Sequence, residues 1–204
     1  MNARDVAGMP AVIAADTGCL LLVLHTQTGQ VRALAGAARS SWSPPAGSPP
    51  VVRVDHAPAS WGTDETPACL EPIPATPARW LPCALLAVLA TLAVRHLGRR
   101  EHAFARVTAL ASAATRVGRA ATVADAESAL RAVRRVARCI PAKVACFEES
   151  ASAAVALALS GRHAGWRHGI ASDPVRMHAW IEVDGQPVGE PPSTSRYTPL
   201  IRLP

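Results

Sequence analysis

The last third of the sequence carries a cysteine, a histidine and a carboxylate in an order that suits acyl-transfer chemistry. Cys146 begins an alanine-rich segment typical of a helix, His178 lies on a predicted strand, and Glu190 follows the next turn. A thiolate can attack a carbonyl, an imidazole can shuttle the proton, and a carboxylate can orient the imidazole. The pattern predicts a cysteine enzyme with Cys146 as nucleophile, His178 as base and Glu190 as orienting acid.

A helix beginning at Cys146 would favour its thiolate, because unpaired N–H groups at a helix N-terminus attract negative charge. The same N–H groups can bind a developing oxyanion. Glu148 and Glu149 oppose this effect, since a nearby carboxylate disfavours a thiolate. The alternative is a buried structural cysteine, and the strand that carries His178 favours the catalytic interpretation.

The turn between His178 and Glu190 decides whether the two side chains share a face of the hairpin. A three-residue loop, 183–185, would pair His178 with Glu190 and bring their Cβ atoms about 4.5–5.5 Å apart. A two-residue turn, Asp184–Gly185, would place Glu190 opposite Ala179, on the wrong face. The catalytic interpretation therefore predicts the three-residue loop.

The elements that must position these residues are helices followed by strands. Helices are predicted over Leu81–Leu97, over Ala103–Val117, from a capped start at Thr122 to Pro141, and from Cys146 to Leu159. Strands are predicted over Trp166–Ala171 and Met177–Val183, with a further strand over Gln186–Glu190. This order predicts an α+β fold, a papain/transglutaminase-like cysteine peptidase core at 81–204.

The N-terminal part has a different composition. Residues 11–35 are predicted to form β-strands on either side of a turn at 27–29, and a short helix is predicted over 35–42. Ten of the 18 prolines lie between positions 44 and 82, where neither a helix nor a central strand can run far. The sequence predicts a small unit at 1–43 and a Pro-rich linker at 44–79, with one short strand over Val51–Val54.

Charge and composition narrow the partners and the compartment. The 204-residue chain has a net charge of +6, and residues 95–143 hold eleven Arg and Lys against three acids, which would attract an anionic partner. Nucleic acid is disfavoured, because no aromatic residues accompany the arginines of 122–140. The apolar run Leu81–Val94 is too short for a membrane span. An odd number of cysteines and no apolar secretory segment indicate a cytoplasmic protein.

A metal site is also disfavoured on spacing. Cys139, Cys146, His163 and His168 offer soft ligands, but their spacings do not match the compact pairs of structural zinc sites. No phosphate-binding glycine loop is present in the sequence either. The sequence therefore predicts neither a metal nor a cofactor.

The C-terminal half resembles the lasso peptide biosynthesis B proteins, transglutaminase-like leader peptidases related to the microcin-processing protein. The resemblance rests on Ile140-Pro141, Cys146-Phe-Glu-Glu-Ser150, His178-Ala-Trp-Ile-Glu-Val-Asp-Gly185 and the tail Gly189–Pro199. It implies a Cys146–His178–acid triad that hydrolyses the leader from a ribosomally made precursor peptide. Glu190 stands where the family often has Asp. A separate ATP-dependent, asparagine-synthetase-like cyclase would then close the macrolactam ring.

The same resemblance gives the N-terminal unit a role in binding the precursor's leader. Such units resemble a winged helix, and the leader adds as a strand to the sheet edge. Leu22, Val31 and Leu34 are the expected leader-binding residues, and the unit would be incomplete, since no later helices are evident. Transglutaminase-like acyl transfer to an amine, on the same triad, and nucleic-acid binding by the arginines of 122–140 are the alternative functions.

Overall fold

The computed structural model of the chain describes residues 9–54, 75–172 and 175–204. The strands are β1 Val12–Asp16, β2 Leu21–His25, β3 Val31–Leu34, β4 Val52–Arg53, β5 Arg119–Ala120, β6 Arg162–His163, β7 Gly165–Ser172, β8 Val175–Val183, β9 Gln186–Pro187 and β10 Thr198–Leu203. The α-helices are α1 Gly36–Ser41, α2 Trp80–His96, α3 Ala103–Ala114, α4 Val123–Ala137 and α5 Cys146–Leu159. Helices followed by strands confirm a mixed α+β architecture.

A local sequence signal accounts for the start of α4. Thr122 and Asp125 form a reciprocal capping box at the start of α4, with the Asp125 N–H donating to Thr122 Oγ1 at 3.2 Å. The apolar face of α4 buries Ala126, Leu130 and Val133. The expected start of this helix is thus confirmed, and its apolar face lies against the core.

Two four-stranded sheets flank the helices. The N-terminal sheet has the order β3-β2-β1-β4, with β1 and β4 parallel, and the C-terminal sheet has the order β10-β7-β8-β9. Helix α5 packs on both α2 and β8, so the N-terminus of α5 lies beside the C-terminal sheet. The short strand β4 falls within the predicted Val51–Val54, whereas residues 55–74 of the predicted linker lie outside the described residues.

The N-terminal sheet shares its core with the helices. Ile13, Leu22 and Val54 belong to the same buried cluster as Val88 of α2 and Leu157 of α5. Gly29 packs so closely on the Phe104 ring that a Cβ there would lie 2.7 Å from it. The predicted units 1–43 and 81–204 therefore pack against each other through one hydrophobic cluster.

Helix α2 is only half buried, although its uniform apolar sequence suggests a core helix. One face carries Ala84, Ala87, Val88 and Thr91 into the core, whereas Leu86 is 59% exposed on the opposite face. Within the described residues, no helix combines the length and apolar character that crossing a bilayer requires.

The predicted register of the β8–β9 hairpin is wrong. Val183 pairs with Gln186, so Asp184 and Gly185 form a two-residue turn. Both turn residues have positive φ, 51° and 75°, the mirror-image geometry that matches the right-handed twist of paired strands. The short hairpin turn was therefore favoured over the three-residue loop that the catalytic interpretation required.

Strand pairing in this hairpin stops after a few residues, and this determines the position of Glu190. β9 contains only two residues, and the Val188 N–H makes one more bond to the Ile181 carbonyl at 3.0 Å. Gly189 then takes a φ of +63°, a left-handed conformation that glycine adopts at little cost. The chain leaves the strand direction at this point, so strand register no longer decides which way Glu190 points.

Candidate active site

Cys146 is the first residue of α5, and Glu148 in the same helical turn is held by a cap and an ion pair. The Glu148 carboxylate accepts a hydrogen bond from the Ala145 N–H at 3.0 Å, which caps the helix, and forms an ion pair with Arg95 of α2. Glu148 is only 2% exposed, so it belongs to the framework of this helix start. Arg95 therefore balances the charge of Glu148, and the Ala145 N–H fixes its position at the helix start.

His178 on β8 is a hydrogen-bond partner of Cys146. Burial alone would raise the pKa of the Cys146 thiol. Hydrogen bonds from His178 and from the Ala179 and Phe147 N–H groups, with the charge of His178, outweigh burial and lower the pKa below its ordinary value. The structure thus provides the conditions for a thiolate at this position.

Glu190 completes a line of three groups. Its Oε2 lies 2.6 Å from His178 Nε2, which leaves Nδ1 of the same ring for Cys146. The Thr194 hydroxyl donates to the same oxygen at 3.3 Å, and the Glu190 side chain is only 7% exposed. The structure therefore brings Cys146, His178 and Glu190 together, although the strand pairing expected to do so is absent.

The pKa of His178 rises to about 9 in this setting. Burial would lower it, but hydrogen bonds to Cys146 and Glu190 and the charges of both groups outweigh that effect. A raised imidazole pKa and a lowered thiol pKa favour a thiolate–imidazolium pair near neutral pH. The pair supplies a nucleophile and a proton donor in one state.

We expect a bell-shaped pH dependence of kcat/KM. Activity should be lost on the acid side as the Cys146 thiolate is protonated, below the ordinary thiol pKa. It should fall again as pH rises through about 9, because His178 then loses the proton needed by the leaving group. Initial rates between pH 5 and 11 measure both limbs, and an alkaline limb near the ordinary imidazole pKa would contradict the geometry.

Two aromatic rings restrain the imidazole. Trp180 lies nearly parallel to the His178 ring at a centroid distance of 5.8 Å, and the Tyr197 ring lies 5.1 Å from His178. Burial raises the pKa of Tyr197, which keeps the phenol neutral beside the ion pair. Trp180 lies two residues after His178 on β8, so the alternation of a strand predicts that both side chains share a face. Tyr197 belongs to the segment before β10, and residue spacing does not predict its contact with His178.

A second histidine, His168, lies near the site but plays a different part. It is 5% exposed, and its ring packs against Phe104, Phe147 and Trp166. Burial, together with the charge of His178, lowers the pKa of His168 to about 4, so the ring stays neutral at physiological pH. His168 is thus part of the core beneath the helix that carries Cys146.

The remaining predicted residues fall outside this cluster. Leu22 is 1% exposed within the core, so its side chain is not available at the surface, whereas Val31 and Leu34 on β3 are half buried. Over the ranges 9–54, 75–172 and 175–204, no group of three or more His, Cys, Asp or Glu residues could hold a metal ion. The alternative zinc ligands are therefore not assembled there.

Two arginines of α4 form ion pairs with neighbouring carboxylates. Arg131 lies 3.6 Å from Glu127, and Arg134 donates to Glu149 at 2.8 Å. Arg134 also lies 3.6 Å from Glu190, a contact that helical periodicity does not indicate. These pairs leave less free positive charge for nucleic acid than the sequence suggests.

A model of the transglutaminase-like superfamily matches residues 86–202, which is more than half of the chain. The chain therefore belongs to the transglutaminase-like superfamily, whose members are generally cysteine-peptidase-like enzymes. Cysteine-protease-like or acyl-transferase-like activity follows from this membership. Searches among curated proteins and among solved structures gave no significant match.

Proposed function

We propose that this protein is a cytoplasmic thiol protease that hydrolyses the leader peptide from a ribosomally made lasso precursor. The observation that carries the proposal is the contact series Cys146–His178–Glu190, in which the thiol and imidazole pKa values shift in opposite directions. The family-like motifs around Cys146 and His178 support the choice of substrate. An asparagine-synthetase-like, ATP-dependent cyclase would then act on the released core peptide.

The proposed reaction proceeds in two steps. Cys146 Sγ attacks the scissile carbonyl carbon, and the His178 imidazolium donates its proton to the departing amine, so the C–N bond breaks and a thioester forms. Water then attacks the thioester while His178 removes its proton, and the thiolate leaves. Glu190 holds the imidazole through Nε2 in both steps.

Mass spectrometry of the purified protein mixed with its precursor tests the proposal. Hydrolysis predicts a free leader acid and a core peptide that together weigh one water more than the precursor. Acyl transfer predicts instead an amide between the leader carboxyl and an added amine. An intact precursor after long incubation, with and without the cyclase, would contradict both outcomes.

The N-terminal sheet is the proposed leader-binding surface. β3 lies at the edge of that sheet and pairs with β2 alone among the described strands, and it carries Val31 and Leu34. Strand addition at such an edge depends on main-chain hydrogen bonds, each contributing about 1 kcal/mol. A leader with two N-methylated amides in its binding segment should therefore lose at least about 10-fold in affinity.

Isothermal titration calorimetry with the leader alone measures this effect. The control is a leader of the same sequence with its N-methyl groups outside the binding segment, which should bind like the unmodified peptide. Equal affinity of all three peptides would exclude strand addition.

A further inference from the structure

Arg134 is not one of the proposed reacting groups, but it contacts two acids, Glu149 and Glu190, that lie close to them. Arg134 lies on α4, which carries none of the three proposed catalytic residues. Its Nε donates to Glu149 Oε1 at 2.8 Å, its Nη1 donates to the Gly189 carbonyl at 3.0 Å, and its Nη2 lies 3.6 Å from Glu190 Oε1. A single guanidinium therefore ties the acid-bearing segment to the helix that begins with Cys146.

The segment that carries Glu190 leaves the sheet just before this residue. β9 ends at Pro187, and Gly189 bends the chain away from β8. Helix α4 lies directly against this bend, because a Cβ on Gly189 would come within 2.7 Å of Leu130 Cδ2. Arg134 adds a polar attachment at the same place, through the Gly189 carbonyl and the Glu190 oxygen that does not contact His178. Its fork-shaped donor group suits this two-point contact.

Glu149 gives Arg134 a second effect on the site. Glu149 lies in the first turn of α5, three residues after Cys146, where its negative charge opposes a thiolate. Its neighbour Glu148 is held instead by Arg95. Arg134 forms an ion pair with Glu149, and we expect this pairing to offset the charge that would otherwise disfavour the Cys146 thiolate.

We infer that Arg134 is a positioning residue that holds Glu190 against His178 and, through its ion pair with Glu149, keeps Cys146 reactive. The inference rests on the proposed function, since it concerns the same site. Arg134 acts on His178 through Glu190, because the groups that shift the His178 pKa are Cys146 and Glu190. The other titratable groups that interact across this site are His168 on β7, Tyr197 before β10 and Arg176 on β8.

The variants Arg134→Gln, Glu149→Gln and their combination separate the two effects. In Arg134→Gln, Glu149 loses its partner and the Cys146 pKa should rise, while a loosened Glu190 should let the His178 pKa fall. The pH range in which the enzyme is active should therefore narrow from both sides. The value of kcat/KM should drop on the order of 10²-fold, mostly through kcat, as expected for a misplaced catalytic group. The double variant should restore the acid limb, because no charge remains at position 149, but leave the alkaline limb shifted.

The control is Arg135→Gln, which removes an exposed arginine from the next position of the same helix and should leave the rate and profile unchanged. Should Arg134→Gln fail to fold, Arg134→Lys keeps the charge beside Glu149 without the fork, so it should give a smaller loss, with the acid limb near that of the wild type and the alkaline limb shifted. A wild-type profile in Arg134→Gln would overturn the inference. So would a slower enzyme with unshifted limbs and a lowered Tm, since that result indicates a purely structural role.

A readout independent of cleavage distinguishes this inference from the proposed function. The rate of Cys146 alkylation against pH, resolved by peptide mass spectrometry, follows the thiolate whether or not the lasso precursor is a substrate. Absence of precursor cleavage in the wild type, with an alkylation profile that shifts in Arg134→Gln, would reject the substrate and retain the positioning role. Unshifted alkylation in a folded Arg134→Gln protein would reject the positioning role itself.

Discussion

Replacing Cys146 with Ala is expected to abolish precursor cleavage while leaving precursor binding intact. The substitution removes the atom proposed to form the thioester, and loss of the nucleophile from a catalytic triad lowers kcat by about 10⁶-fold. Binding should persist because the proposed leader-binding edge at β3 lies in a different sheet. Cleavage is followed by mass spectrometry and binding by calorimetry, on the same preparation.

Cys139→Ala is the matched control for that experiment. Cys139 is a free, exposed cysteine in the loop before α5, and it has no contact with His178 or Glu190. Its removal should leave the cleavage rate unchanged. Continued cleavage by Cys146→Ala, or equal losses in both variants, would show that Cys146 is not the nucleophile.

Replacing His178 with Ala is expected to lower kcat nearly as much as replacing Cys146 with Ala does. The variant loses the proposed proton donor for the leaving amine and also the hydrogen bond and charge that lower the Cys146 pKa. Residues of a triad act as a unit, so a loss of about 10⁴–10⁶-fold in kcat is expected, with KM little changed. Steady-state kinetics at several pH values measure both parameters.

His96→Ala is the control for the histidine substitution. His96 is exposed at the end of α2, outside the cluster around Cys146, and its removal should leave kcat unchanged. Activity of His178→Ala within 10-fold of the wild type would show that another group moves the proton. The neutral, buried His168 would then be the next residue to replace.

The helices were the most predictable part of the fold, because their signals are local. Thr122 and Asp125 specify the start of α4 within four residues, whereas the helix ends at Ala137, four residues before the Pro141 that the sequence predicts as its end. The segment that begins at Cys146 was likewise predicted as a helix, and α5 spans Cys146–Leu159 as expected. Such signals depend on spacing and capping chemistry, which a single sequence displays directly.

The contact between His178 and Glu190 was anticipated for the wrong structural reason. The prediction used strand register, whereas the structure has a two-residue turn and a departure from the sheet at Gly189. A single glycine with positive φ redirected the chain, so a side chain expected on the wrong face reached the imidazole. Register arguments hold only while pairing continues, and here it ends after β9.

Long-range polar contacts could not be predicted from spacing. Arg134 lies away from the buried residues of α4, so helical periodicity alone predicts a solvent-facing side chain. Its contacts with Glu149 and Gly189 involve positions 15 and 55 residues away, and the Trp166 indole donates to the Ser150 hydroxyl across 16 residues. Such contacts depend on how helices and sheet pack together, which periodicity does not reveal.

The pH dependence of Cys146 alkylation tests the central claim most directly. The account predicts that Cys146 reacts as a thiolate with an inflection below the ordinary thiol pKa, and that His178→Ala moves this inflection upwards. The exposed Cys139, measured on its own peptide in the same samples, should be unaffected by that substitution. A Cys146 that titrates like an ordinary thiol in both proteins would contradict the account.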